Sequence, residues 1–322
     1  MRKRLASGIE LRNASSEEDY AAIVHLQRRT WGDSFDDAVP PPMLKISQKM
    51  GGVVAGAYDE AGRMLGFIYG MSGFRFGQRA HWSHMLAVTR DARGLGLGRE
   101  LKAFQRELLL ELDVETVYWT YDPLVARNAN LNLNRLGALP VEYVEDMYGE
   151  DTGSILHSGL GTDRFIVAWP IGSEHVAGLM EGGPAAGLTR GTPPFPVDES
   201  PVDTAWVEVP PNIGSILRSS PEDAAAWRRR TRTQFQEHLG NGYAVTGFTW
   251  QVVGPEPDAG QKAGAPSATA AGGDAGAPGA TAAGGDAGAP GAADAGGGAG
   301  APSVANRRYY YRLEKLEGTR AR

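Results

Sequence analysis

The sequence predicts an α/β (α+β) fold: a mixed sheet flanked by helices, followed by a smaller α+β region. Three observations carry this. Short segments that alternate apolar and polar residues, or run apolar without a break, recur between residues 9 and 169 and read as strands. Between them lie segments with apolar residues three and four apart, which read as helices. The glycine-rich turn Arg93-Gly94-Leu95-Gly96-Leu97-Gly98 joins an apolar strand to the most regularly patterned helix.

Each element has a local reason. Ile9-Glu10-Leu11-Arg12 alternates and starts the sheet. Ser15-Ser16-Glu17-Glu18-Asp19 opens a helix, with a hydroxyl cap and acids at the positive end of the dipole. Its apolar face holds Tyr20, Ile23, Val24 and Leu26, and Trp31-Gly32-Asp33 closes it. Residues 41–50 suit a short second helix. Residues 52–58 and 64–73 read as strands around the turn Asp59-Glu60-Ala61-Gly62. A strand over 82–89 leads through the glycine turn into a helix over 97–112. That helix places Leu97, Leu101, Phe104, Leu108 and Leu112 on one face, with Arg99, Lys102, Arg106 and Glu107 assigned to the polar face. Residues 114–120 form another strand, and 125–136 a helix stopped by Gly137. Residues 141–148 and 164–169 make a final antiparallel pair.

The second half differs in composition. Residues 172–204 are rich in Gly and Pro and read as a linker between a first domain (8–171) and a C-terminal region (205–322). That region holds a strand at 206–209, a helix opened by Ser220-Pro221-Glu222-Asp223, and strands at 243–253 and 307–313. Residues 255–304 contain TAAGGDAGAPGA twice and no aromatic residue. Such a segment buries too little apolar surface to offset chain entropy, so a disordered loop inside a hairpin is expected.

The turn at 93–98 presents backbone N–H groups at a helix N-terminus, a setting that attracts phosphate. A Walker loop would need Lys and Ser or Thr after Gly98, where Arg99 and Glu100 stand. A dinucleotide fingerprint counted from Gly94 would need a third glycine where Arg99 is. What remains is Arg-x-x-Gly-x-Gly, read as Arg93, Gly96 and Gly98. Alone, the turn is equally an ordinary strand-to-helix connection.

With its strand and amphipathic helix, the pattern resembles the acyl-CoA loop of the GNAT superfamily of N-acetyltransferases, over about residues 9–171. The resemblance implies a GNAT acyl-CoA N-acyltransferase fold, a mostly antiparallel mixed sheet whose central strands splay apart. It implies acetyl-CoA or another acyl-CoA as co-substrate and no metal. Leu86, Ala87 and Val88 would line the pantetheine arm. Arg93, Gly94, Leu95, Gly96, Leu97, Gly98 and Arg99 would hold the diphosphate. Asn128 and Asn132, four apart, would reach the coenzyme, although both also suit a solvated helix face. Many members place a tyrosine four residues before the glycine as general acid; Leu133 stands there.

Candidates for a base or proton relay are His84, Tyr121 and Asp122, with His84 first because imidazole titrates near working pH; a packed core histidine is its plain alternative. Arg164 and Arg228 are candidates to meet a substrate carboxylate, against a solvated helix face for the basic run at 228–232. Scattered positions resemble a branch of predicted acetyltransferases, some of which are thought to succinylate amino acids. Expected activities are therefore N-acetyl transfer to a primary amine, amino-acid N-succinyl transfer, or a silent coenzyme-binding module. The expected partner is a small amine, for which an amino acid is one option; oligomerisation stays open.

Composition narrows the classes. The 322-residue chain carries a net charge of −6, which argues against bulk nucleic-acid binding. It has no Cys, which removes thiolate nucleophiles and Cys-based zinc sites. No apolar run approaches the length needed to span a membrane, and a cytoplasmic location is the default expectation.

Overall fold

A computed structural model describes residues 1–149, 160–182, 203–252 and 307–315. The first part builds one sheet from β1 (Arg2–Arg4), β2 (Glu10–Asn13), β3 (Val53–Tyr58), β4 (Met64–Arg75), β5 (Gln78–Val88), β6 (Thr116–Tyr121), β7 (Leu139–Val144) and β8 (Arg164–Pro170). The strand order is β1-β2-β3-β4-β5-β6-β8-β7. Every neighbouring pair is antiparallel except β5 and β6. Helices α1 (Glu17–Trp31) and α2 (Pro41–Lys49) pack with one apolar cluster, and α3 (Leu97–Leu110) with the other. From β2 to β8 the element order is the one expected from the sequence.

Local chemistry explains the boundaries. Ser16 and Asp19 form a reciprocal capping box at the start of α1, satisfying two otherwise orphaned amides. After β6, α4 (Ala126–Ala129) runs straight into a π-helical segment, Asn130–Leu136. Gly137, at φ 74°, ends it, and the amide of Ala138 donates back to the Asn132 carbonyl in a left-handed cap.

The C-terminal region adds α5 (Glu174–Met180), β9 (Thr204–Val209), α6 (Ile213–Ser219), α7 (Pro221–Gly240), β10 (Tyr243–Val252) and β11 (Arg307–Lys315). Its strands form a separate sheet, β10-β11-β9. β10 and β11 pair antiparallel from Tyr243↔Lys315 to Val252↔Arg307 despite their separation in sequence. This region docks on the first. Phe165 stacks edge-on against Phe235 at 4.8 Å and Tyr311 at 5.6 Å. Tyr311 Oη donates to the Pro123 carbonyl at 2.9 Å, and Asn134 Nδ2 to the Phe248 carbonyl at 3.0 Å. Arg232 joins Glu145, Asp146 and Asp163.

Several expectations need correction. Basic Arg2–Arg4 is a strand paired with β2, and α6 was not anticipated. The proposed linker contains α5, while residues 183–202 of it lie outside the described residues, as does the repeat-bearing insert. Lys102 is buried at 1% exposure rather than on a polar face. Apolar periodicity marked the buried stripe of α3 but could not show that the stripe widens under the sheet to take in a lysine. Among the described residues, no helix is long and apolar enough to cross a membrane.

Candidate functional site

Strands β5 and β6 pair only over Ala80–Trp82 and Thr116–Tyr118, then part. On its other edge β5 is bulged: Tyr69 faces Met85 and Gly70 faces Ser83, so His84 has no partner in the ladder. The bulge turns β5 away from β6 and opens a V in the sheet. Both arms run toward the open end, where β5 delivers the glycine turn and α3, and β6 delivers α4. Ligands of open α/β sheets bind in this kind of crevice, beyond the carboxyl ends of parallel strands.

The glycine turn leaves the start of α3 uncovered. Gly94 (φ 84°) and Gly96 (φ 73°) occupy the left-handed region. Gly96 is the N-cap of α3, and no side chain caps that helix. A Cβ on Gly96 would meet nothing within 4 Å, so the space before the helix is open. Arg93 Nε on this turn and Asn128 Oδ1 in the helix after β6 are buried and have no partner among the described residues. Burial and the neighbouring Arg90 lower the Arg93 pKa, a strain that a bound anion would relieve. An uncapped helix start, an unpaired guanidinium N–H and an unpaired amide oxygen suit a diphosphate carrying an amide-rich arm. Arg93, the amides at 96–98 and Asn128 are the groups that could hold coenzyme A.

Beneath the vertex of the V lies a directed chain of hydrogen bonds. Lys102 Nζ donates to Ser83 Oγ at 2.9 Å and to Gln105 Oε1 at 3.5 Å, and sits 3.7 Å from the centre of the Trp119 ring. Gln105 Nε2 lies 3.1 Å from His81 Nε2; His81 Nδ1 lies 3.0 Å from Ser72 Oγ, which donates to the Gly51 carbonyl. An amide nitrogen only donates, so Nε2 of His81 accepts and Nδ1 carries the proton. Lys102 thus joins both arms one residue past their last pair, and burial pushes its pKa well down. His81 fits because Gly70 has no side chain: a Cβ there would lie 2.1 Å from Nε2.

Burial, then the Lys102 charge, push the His81 imidazole from 6.5 down to about 3. Below pH 6.5 the unfolded chain binds a proton that the folded protein refuses, so the stability of the neutral form is present above 6.5 and lost as pH falls toward 3. At pH 5 the loss amounts to about 2 kcal/mol. Denaturant midpoints at pH 7 and pH 5 check this: His81→Gln should flatten the dependence, and equal slopes in both proteins would contradict it.

The candidate side chains divide by face. His84 is half-buried, edge-on to Tyr69 at 5.8 Å, on the α1–α2 side of the sheet. Burial lowers its pKa against the opposing pull of Asp37, so the imidazole is neutral near pH 7 and can take a proton. Tyr121 lies on the α3 side, fully buried and 5.9 Å from Phe165. Asp122 is buried with Arg228, whose Nη2 donates to Oδ2 at 2.6 Å; Arg164 Nη1 lies 3.9 Å from the same oxygen. Those arginines hold the Asp122 carboxylate below its usual pKa against burial, which makes it a poor base.

Other candidates also have identified places. Arg228 also donates from Nε to the Leu160 carbonyl at 3.1 Å, and Arg164 from Nη1 to the Asp163 carbonyl at 2.9 Å. Arg99 donates to the carbonyls of Leu179 and Met180, both at 2.9 Å, and so finishes α5. Asn132 Oδ1 accepts from Trp119 Nε1 at 3.3 Å. Leu86 and Val88 face α3, Ala87 faces α1, and Leu133 is buried. Sequence reasoning missed Lys102, Thr120 and Tyr148. Thr120 Oγ1 and Tyr148 Oη lie 2.9 Å apart on the second arm. A lone tyrosine at the end of an expected strand gave no signal of this.

No family model matches the sequence, and no curated protein sequence does. Solved structures similar to it include ribosomal-protein-S5-alanine acetyltransferase from Vibrio fischeri, 12% identical over 54% of this chain and 98% of that one, TM-score 0.43. Ribosomal-protein-S18-alanine N-acetyltransferase from Escherichia coli is 18% identical over 51% and 95%, TM-score 0.40. A chain of the NatC complex bound to Gag peptide and coenzyme A is 17% identical over 50% and 98%, TM-score 0.40.

Proposed function

We propose that the first domain is a GNAT-type N-acyltransferase that moves an acyl group from acyl-CoA to a primary amine, with acetyl-CoA as the main donor. The observation that carries this is the open end of the V: α3 starts there uncapped, and Arg93 Nε on the turn leaving β5 and Asn128 Oδ1 in the helix leaving β6 are buried without partners among the described residues. Unsatisfied buried polar groups are costly, at about 1–3 kcal/mol each, and a ligand that satisfies both recovers that cost. The co-substrate supplies an activated thioester. Beyond Trp82, the main-chain amides on the β6 edge of β5 no longer pair with β6, while β4 still holds the other edge; an amide on the open edge polarises the thioester carbonyl oxygen. His84, neutral on the opposite face, takes the proton lost by the attacking nitrogen.

An α-amine, with a pKa of about 8, reaches its neutral form at far lower cost than a lysine at about 10.4. With one imidazole as the base, the easier amine is the better acceptor. Arg228 and Arg164 gather on Asp122, so selection of an acceptor by its carboxylate finds less support than a plain amine.

Thiol release from acetyl-CoA and succinyl-CoA, measured with a panel of amines, tests the proposal. Amine-dependent release, faster with acetyl-CoA, is expected. Coenzyme A binding without amine-dependent release would instead identify a silent binding module, and no coenzyme A binding would remove the site itself.

A further inference from the structure

The last β5–β6 pair is Trp82↔Tyr118. Two residues further along each arm stand His84 and Thr120. Alternation along each strand puts both on the α1–α2 face, since Ser83 and Trp119 meet Lys102 on the other. Both therefore stand on the same face of the sheet, one on each arm of the V, just past the point where the arms separate. Thr120 is fully buried, and its Oγ1 lies 2.9 Å from Tyr148 Oη.

The tyrosine is firmly held. Its amide donates to Thr162 Oγ1 at 3.0 Å, and that hydroxyl donates to the Gly149 carbonyl at 2.9 Å. The Met147 amide donates to the Thr162 carbonyl, and Asp146 Oδ1 accepts from the Thr162 amide at 3.0 Å. Arg232 of α7 binds Asp146 Oδ2 at 3.0 Å, so the C-terminal region fixes this turn from outside. The Arg164 guanidinium lies 5.4 Å from the centre of the Tyr148 ring, a cation–π placement that helps to hold the ring.

We propose that Tyr148, steadied by Thr120, is the general acid of acyl transfer, the part for which Leu133 has no proton to give. This rests on the N-acyltransferase reading above. The amine lone pair forms the C–N bond while the C–S pair leaves on sulfur. The thiolate takes the Tyr148 phenolic proton, and the nitrogen loses its extra proton to His84. Proton return from His84 to the phenolate, directly or through water, restores both groups, so the net products are an amide and a thiol. A phenol is a weaker acid than a thiol by about 1.5 pH units, so the return of the proton from His84 to the phenolate is what completes the transfer. The C-terminal region thereby gains a positioning role, because α7 holds the turn that carries the acid.

Tyr148→Phe tests this and keeps the ring against Arg164. In full-length protein kcat should fall about 100-fold or more, as loss of a general acid does, while the acyl-CoA KM stays unchanged. The alkaline decline of kcat, where the phenol loses its proton, should vanish in the variant. A second reading needs no turnover. In fluorotyrosine-labelled protein, the resonance missing from Tyr148→Phe should shift when coenzyme A is added. Normal kcat with an intact alkaline decline would overturn the proposal, as would an unmoved resonance under saturating coenzyme A; either leaves acyl transfer standing. Wild-type protein that releases no thiol with any amine would overturn both readings.

Discussion

Arg228→Met is expected to destabilise the protein by about 3–5 kcal/mol, the range found when one partner of a buried ion pair is removed. Asp122 sits at the end of β6 and is 7% exposed; Arg228 is 4% exposed. Truncating the arginine removes the 2.6 Å partner of Oδ2 and leaves its nearest cation, Arg164 Nη1, at 3.9 Å, too far for a good hydrogen bond, while the Leu124 amide still donates to Oδ1. It also strands the Leu160 carbonyl, which accepts from Arg228 Nε. Methionine fills much of the same volume, so the loss reports charge and hydrogen bonding more than a cavity. Urea denaturation at neutral pH measures it. Arg229→Met, one residue along on an exposed part of α7, should cost under about 0.5 kcal/mol. A loss at Arg228 no larger than that at Arg229 would mean the pair does not tie α7 to β6.

Substitution at the glycine turn should act on binding instead. Gly96→Ala is expected to weaken acyl-CoA binding by about 100-fold, or ~2.7 kcal/mol. The added methyl would occupy open space in front of α3, where the anion must approach. The substitution carries a second effect, because an L residue at φ 73° costs about 1–2 kcal/mol of stability. Gly62 separates the two. It has φ 78°, a Cβ there also meets nothing within 4 Å, and it lies in the β3–β4 turn away from the V. Gly62→Ala should therefore lose similar stability and bind acyl-CoA normally. Calorimetric titration with both variants decides the matter: equal affinities would remove the diphosphate from this turn.

Much of the first half was legible because its signals are local. The capping box at Ser16, the turn at residues 59–62 and the stop at Gly137 are written in neighbouring residues, and the backbone obeys them. The glycine turn was legible for the same reason: φ above zero, a bare N-cap and an amphipathic helix fall within one short segment. What could not be read depends on distant partners. Asp122 and Arg228 are 106 residues apart and Thr120 and Tyr148 are 28 apart; no periodicity links either pair. Lys102 looked exposed because charge usually means solvent, yet an aromatic ring and two oxygen acceptors take it inside. The three-residue strand β1 was hidden by its composition, since three basic residues rarely announce a sheet edge.

The anchoring of α7 and β11 on the end of β6 has a consequence for the history of this chain. A fragment stopping near residue 171 would leave the carboxylates of Asp122 and Asp163 without Arg228 and Arg232 and would uncover Phe165. The first half would then present charges and an aromatic ring that the appendage now covers, so the two parts are expected to stand or fall together.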